Sequence, residues 1–190
     1  MSILVLTSDT LIGTPATGNI EYSGQFYGTD SNASRAQIQR ITQGTVIPTT
    51  SGSTAIFTGI PSWVKRITVI LNAVGTNGAA FAQIQVGSGS ILATGYTSTS
   101  MLLNNTSVGN TSSTTGFIVY PNLANANRTG QYVLTNVSGN IWVCSGQSLY
   151  STTQTSTTNG VVTLSGTLDR VGFTTSDTLN NGSINILYEG

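Results

Sequence analysis

Apolar and polar residues alternate with a period of two along most of this chain, in short runs punctuated by Gly, Asn, Ser and Asp. A strand with one face on a core and the other in solvent has that period. The longest run is Val64–Ala73, with Ile67, Val69 and Leu71 on one face and Arg66, Thr68 and Asn72 on the other. In Phe81–Val86 the residues Ala82, Ile84 and Val86 alternate with Gln83 and Gln85. Further strands are predicted at Thr54–Thr58, Ile91–Gly95, Gly116–Tyr120, Tyr132–Val137 and Ile141–Ser145. Ser138-Gly139-Asn140 supplies a hairpin turn between the last two. Residues 162–190 read as three more strands. Val162 and Leu164 precede a Ser165-Gly166 turn, and Val171, Phe173 and Thr175 share a face. Ile184, Ile186 and Tyr188 then follow a turn at Asn180-Asn181-Gly182. The last strand runs almost to the final residue, so the chain is expected to end inside its own sheet.

Residues 1–44 have a different texture and are read as an N-terminal module. Leu4 and Leu6 begin an extended segment that Thr14-Pro15 and Gly18 interrupt. Ile20 and Tyr22 then lead into Ser23-Gly24, and Phe26 leads out, the pattern of a tight hairpin. Residues 31–41 fit two descriptions. Asn32 is placed to cap a short helix with Ile38 and Ile41 on one face, or Ala36, Ile38 and Arg40 alternate in a strand. Extended structure is favoured because everything around it is β.

Eight to ten short strands with turns between them predict an all-β fold, a sandwich, jelly roll or barrel spanning residues 45–190. No amphipathic helix separates them, which excludes alternating β-α-β architecture. Two stretches break the rhythm and read as long loops, Ser98–Thr115 and Ser148–Asn159. Loops beyond about 12 residues tend to be functional or mobile. Asn104 and Asn105 in the first stretch, Tyr96 just before it, and Asn127 and Arg128 are the candidate surface-contact residues.

Composition sharpens this picture. Hydrophobic residues make up 38% of the chain and charged residues 6%, against about 25% charged in ordinary soluble domains. Disorder normally combines high net charge with few β-branched and aromatic residues. Here six basic and six acidic residues balance, while Val, Ile, Thr and Tyr are plentiful, so a folded chain is expected. The balance leaves no electrostatic footprint for nucleic acid, and no run approaches the ~18 apolar residues of a membrane helix. The N-terminal run Ile3–Leu6 lacks a basic flank and is not read as a signal peptide.

Candidate chemistry is sparse. The chain has no histidine and one cysteine, which removes Ser-His-Asp and Cys-His catalysis and the common zinc sites. No phosphate-cradling Gly-rich motif occurs, and no cofactor is expected. Cys144, in the run NIWVCS, reads as a small buried apolar residue. Two carboxylates, Asp169 and Asp177, remain as a glycosidase-like pair. Asp169 precedes Arg170, and neighbours on a strand face opposite ways, so the two are not expected to pair directly; a charged turn or an interface salt bridge is expected for each. Arg35 and Arg40 are placed to anchor a partner by bidentate pairing.

Two segments together resemble structural proteins of tailed bacteriophages, found at the C-terminal end of tail fibres or as free-standing virion proteins. The first is GTPATGNIEYSGQFYGTD followed by Arg35, Arg40 and Ile41. It carries a Thr-Pro step, Gly, an apolar residue with Glu-Tyr, a Gly turn, and Phe-Tyr. The second is LSGTLDRVGFTT with GSINILYEG, together with GIPSWVKRITVILNAVGTNG upstream. Gly172 stands where the family more usually has a polar or basic residue, and residues 104–154 have no counterpart. The resemblance implies a jelly-roll-like antiparallel β-sandwich that assembles as a homotrimer, its final segment the last strand pair. It also implies a non-enzymatic virion component, assembled in the host cytoplasm and exposed on the tail or the head. Glu21, Tyr22, Phe26, Tyr27, Arg35 and Arg40 would belong to the module that fastens it to other virion proteins. A host surface glycan is the candidate external partner.

Overall fold

A computed structural model describes residues 18–22, 26–32, 34–104 and 106–190. Every regular element among them is a strand. The chain divides into two compact units, Met1–Arg40 and Ile41–Gly190.

The first unit is a three-stranded antiparallel sheet of β1 (Ile20–Tyr22), β2 (Phe26–Thr29) and β3 (Arg35–Gln37), in that order. The hairpin expected from the sequence is there, with Tyr22 opposite Phe26 and Ile20 opposite Gly28. Its Ser23-Gly24 turn lies outside the described residues, as do Leu4, Leu6 and Thr14-Pro15. Residues 35–37 are extended. Asp30 accepts hydrogen bonds from the Asn32 and Ser34 N–H groups at 2.9 Å on its Oδ1. This turns the chain back on itself, and Asn32 does not cap a helix.

The second unit begins with β4 (Ile41–Gln43), β5 (Ile47–Pro48), β6 (Thr54–Thr58), β7 (Arg66–Thr76), β8 (Ala82–Ser88) and β9 (Ser90–Ile91). It continues with β10 (Thr97–Leu103), β11 (Val108–Ser113), β12 (Phe117–Val119), β13 (Arg128–Ser138), β14 (Ile141–Ser151), β15 (Gln154–Thr163), β16 (Arg170–Thr174) and β17 (Leu179–Glu189). Nine of these form one sheet in the order β11-β10-β15-β14-β13-β7-β17-β4, with β5 also on β17. The other five form a second sheet, β12-β8-β16-β6, with β9 beside β8. Every pairing is antiparallel. Alternate residues of the two sheets meet in one buried cluster that includes Ile67, Val69, Leu71, Tyr132 and Leu134 from the large sheet. Ile84, Val86, Val171 and Phe173 join it from the small one. The arrangement is a β-sandwich.

Four sequence expectations change. Of the strand expected at Ile91–Gly95, only Ile91 lies in a strand, at the end of β9. Residues 41–44 pair with the large sheet, Gln43 lying opposite Leu187. The stretches Ser98–Thr115 and Ser148–Asn159 are not loops: most of each lies in the hairpins β10–β11 and β14–β15. Their inward positions carry Ser98, Ser100, Ser156 and Thr158 in place of aliphatic residues, so the strands show no apolar contrast between faces. Asn180-Asn181-Gly182 is not a turn either. It lies inside β17, where the pairing with β7 shifts register twice. The chain does end inside a sheet, because β17 runs between β7 and β4.

Candidate functional site

The small sheet's edge strand β12 is joined to the inner face of the large sheet by hydroxyl groups. Ile118 turns its N–H and C=O away from β8. The N–H donates to Ser98 Oγ at 3.2 Å, and the C=O accepts from Thr158 Oγ1 at 2.7 Å. Next along, Tyr120 O accepts from Ser156 Oγ at 2.9 Å. Ser156 Oγ lies 3.0 Å from Ser148 Oγ, which lies 2.9 Å from Tyr132 Oη. A chain of donations from Tyr132 through Ser148 and Ser156 to the Tyr120 carbonyl satisfies every oxygen with one proton each. Burial raises the Tyr132 phenol pKa above its ordinary value, and its hydrogen bonds with Ser148 and Ser156 oppose the rise. The hydroxyls thus hold the inner side of β10, β14 and β15 and leave their other side to solvent.

The structure redistributes the candidate contact residues. Tyr96 is buried at 2% exposure, its ring edge-on to Phe117 and its hydroxyl bonded to Val86 and Leu92. It is a core residue and cannot meet a partner. Burial pushes its phenol up to about 12. Arg128 is fully buried at the start of β13, donating to Pro121 O at 2.5 Å and Ala126 O at 3.2 Å. It braces the β12–β13 connection and is likewise withdrawn from any surface role. Its Nε has no hydrogen-bond partner among the described residues. Asn127 is exposed, and its Oδ1 accepts from Asn181 Nδ2 at 3.1 Å. Asn104 closes the β10–β11 hairpin by accepting from the Thr106 and Ser107 N–H groups. Asn105 lies outside the described residues.

In the first unit the candidate attachment residues fall on two faces. Glu21, Tyr27 and Arg35 share one, where Arg35 forms a bidentate pair with Glu21 at 2.8 and 3.2 Å. The fork proposed for a partner is thus engaged within the module. Tyr22 and Phe26 share the other face, with ring centroids 5.1 Å apart. The register adds Ile20, Ala36 and Ile38 to them. Ile20, Phe26 and Ile38 are 69%, 45% and 49% exposed, so this small sheet carries an uncovered apolar face. Arg40, also exposed, is the unit's last residue.

The carboxylate pair separates. Asp169 accepts from the Gly89 N–H beyond one end of β8, and Asp177 from the Ala80 N–H before the other. Seven strand residues lie between those ends, a span of roughly 20 Å. Retaining or inverting glycoside hydrolysis needs carboxylates about 5–10 Å apart, so these two do not form such a pair. Contrary to the expectation from alternation, Asp169 also pairs directly with Arg170, Oδ1 to Nε at 2.8 Å. Asp169 precedes the strand, where the alternation of faces does not yet apply. The hydrogen bond from Arg170 holds its carboxyl below the usual range.

The outer face of β13, β14 and β15 was not singled out by the sequence. Cross-strand register sets out three rows there: Thr129, Leu149 and Thr155; Gln131, Gln147 and Thr157; Val133, Ser145 and Asn159. A depression of roughly 540 Å³ opens over the first two strands and the end of the third. No charged residue occupies an outward position on β10, β11, β13, β14 or β15. Alternation alone carried a signal, since burying Tyr132 and Leu134 must point Gln131 and Val133 outward. A second depression of about 370 Å³, lined by Ile47, Ile56, Phe57, Ile60, Ile186 and Tyr188, lies between the edge strands β4 and β6. No protein-family model, curated protein or solved structure matches the chain.

Proposed function

We propose that the chain is a non-enzymatic structural protein of a tailed-bacteriophage virion, exposed on the particle as a trimeric protein of the tail-fibre or receptor-binding type. The observation that carries this reading is the division of labour between the two units. The N-terminal sheet bears an apolar face of Ile20, Tyr22, Phe26 and Ile38 that its own strands leave uncovered. A unit of about 40 residues rarely builds a sufficient core alone, and an uncovered apolar face is what a docking module offers a larger structure. The second unit has a core of its own and a broad uncharged outer face. The resemblance of residues 13–30 and of the closing strands to phage virion proteins supplies the context. Trimerisation would present each contact face three times, with the avidity that follows.

A head-decoration protein is the second reading, favoured by the same apolar module, which would then grip the capsid lattice. Electron microscopy of gold-labelled intact particles separates the two. Label confined to the tail supports attachment, label spread over the head makes this a decoration protein, and virions without label refute both. Replacing Phe26 by Asp should release the protein from particles while the second unit stays folded. Sedimentation of a stable monomer at micromolar concentration would overturn the trimer.

A further inference from the structure

Several amide side chains of the second unit are engaged within it. Gln83 donates to Ser113 and Thr115, Gln85 to the Thr115 carbonyl, Asn136 to Gly139 and Ile141, and Asn180 to Asn125. The floor of the depression on β13 and β14 carries two that are not. Gln131 and Gln147 stand directly opposite each other, with Ser145 one row away. None of the three side chains has a hydrogen-bond partner among the described residues. Opposed positions place β-carbons about 5 Å apart, so two carboxamides converge on one space. Each offers an acceptor and two donors side by side. Val133 and Leu149 flank them, the latter 53% exposed.

We infer that this depression binds a neutral polyhydroxylated ligand, a segment of uncharged polysaccharide. Adjacent hydroxyls of a sugar ring alternate donor and acceptor as a carboxamide does, so Gln131 and Gln147 can each pair with two of them. The C–H faces of the ring rest against Val133 and Leu149. An ionised ligand would lose hydration with no opposite charge to replace it, because the outward charges on the neighbouring strands β7 and β17, Arg66 and Glu189, pair with each other at 3.2 Å. The volume, roughly 540 Å³, lies in the range of small-ligand sites. The inference rests on the attachment reading, with the sheet face taking the place of the expected contact loops.

The test is affinity electrophoresis of the full chain at alkaline pH, where a protein of pI ≈ 6.0 is anionic. The gels contain dextran, galactomannan, soluble starch or, as the charged control, alginate. Retardation is expected in at least one neutral polymer and not in alginate. The double substitution Gln131→Ala with Gln147→Ala should weaken it at least roughly tenfold, and Gln147→Glu should do the same through its charge. Thr163→Ala, on the same face outside the depression, should leave it unchanged. Unchanged mobility in every neutral polymer, equal retardation of the double variant, or equal retardation in alginate overturns the site. A double variant that sediments as a smaller species while keeping its retardation also overturns it, since the face would then join copies of the chain. Binding of labelled protein to host bacteria separates the two levels. If the double variant still binds cells, the site falls and the attachment reading stands. If the wild type is retarded by polymer and ignores cells, the attachment reading falls.

Discussion

At Thr158 one hydroxyl serves two sheets. It lies 2.8 Å from Ser100 Oγ and 2.7 Å from the Ile118 carbonyl, fully buried. Thr158→Val keeps the shape and removes both contacts, leaving the carbonyl of an edge strand without a partner. The expected loss is about 1–3 kcal/mol, read as a lower urea midpoint at unchanged slope. A variant within a few tenths of wild type would show that the hydroxyl seam contributes little. Cys144 is a simpler case. It faces the core from β14, and burial pushes its thiol up to about 12. At pH 8 the thiolate fraction is then about 10⁻⁴. A disulfide reagent should leave the native protein unlabelled over hours and label one equivalent on unfolding. Rapid stoichiometric labelling without denaturant would contradict this placement.

At the scale of the element, β7 and β17 show how a strand absorbs an irregularity. Ala73 has a positive φ of 52° and Gly182 one of 85°. Between Asn72 and Gly75 of β7, two residues oppose Gly182 alone. Thr129 Oγ1 accepts from the Ala73 N–H at 2.9 Å and satisfies the group the bulge leaves out of the ladder. A Cβ at Gly182 would collide with the Ala73 carbonyl, so Gly182→Ala should cost at least about 2 kcal/mol. Ala73→Gly relieves a left-handed alanine and should stabilise by about 1 kcal/mol, a rise of about 2–4 °C in Tm. Thermal melts of the two variants should move in opposite directions, and a fall for Ala73→Gly would refute the strain. The same bulge explains one limit on reading the sequence. Asn-Asn-Gly is turn chemistry, and only the partner strand β7 reveals that the segment continues. Where aliphatic and polar residues alternate, as at Thr54–Thr58, the strand was legible to its ends. Where Ser and Thr fill the inward positions, as in β10 and β15, hydropathy carries no contrast and strands resemble loops. The candidate site suffered from that error. Tyr96, beside one of those stretches, is a core residue, and Gln131 and Gln147 fall just outside the strands expected at Tyr132–Val137 and Ile141–Ser145.

For the molecule as a whole, the scarcity of charge sets the response to acid. Acid unfolding is driven by carboxylates that are stabilised in the folded state and by repulsion among the cations left behind. The chain has six carboxylate and six cationic side chains and no histidine, so full protonation of the carboxylates leaves a side-chain charge of only +6 on 190 residues. The pKa of Asp169 is lowered, chiefly by the hydrogen bond from Arg170. Because its folded value lies below the unfolded one, its contribution is fully present above the ordinary carboxylate range. That contribution is lost as pH falls through the folded value. With the Asp169 side chain 39% exposed, solvent screens the pair and the contribution is small. The second unit should therefore keep its near-UV circular dichroism down to about pH 2, with only a shallow decline in urea midpoint below the carboxylate range. Asp169→Asn should flatten part of that decline and leave stability near neutral pH slightly lower. A cooperative acid transition above about pH 3 would mean that some group other than these few carboxylates is coupled to folding. The buried hydroxyls that replace charge in this fold do not titrate in that range, so the sandwich has little else for acid to act on.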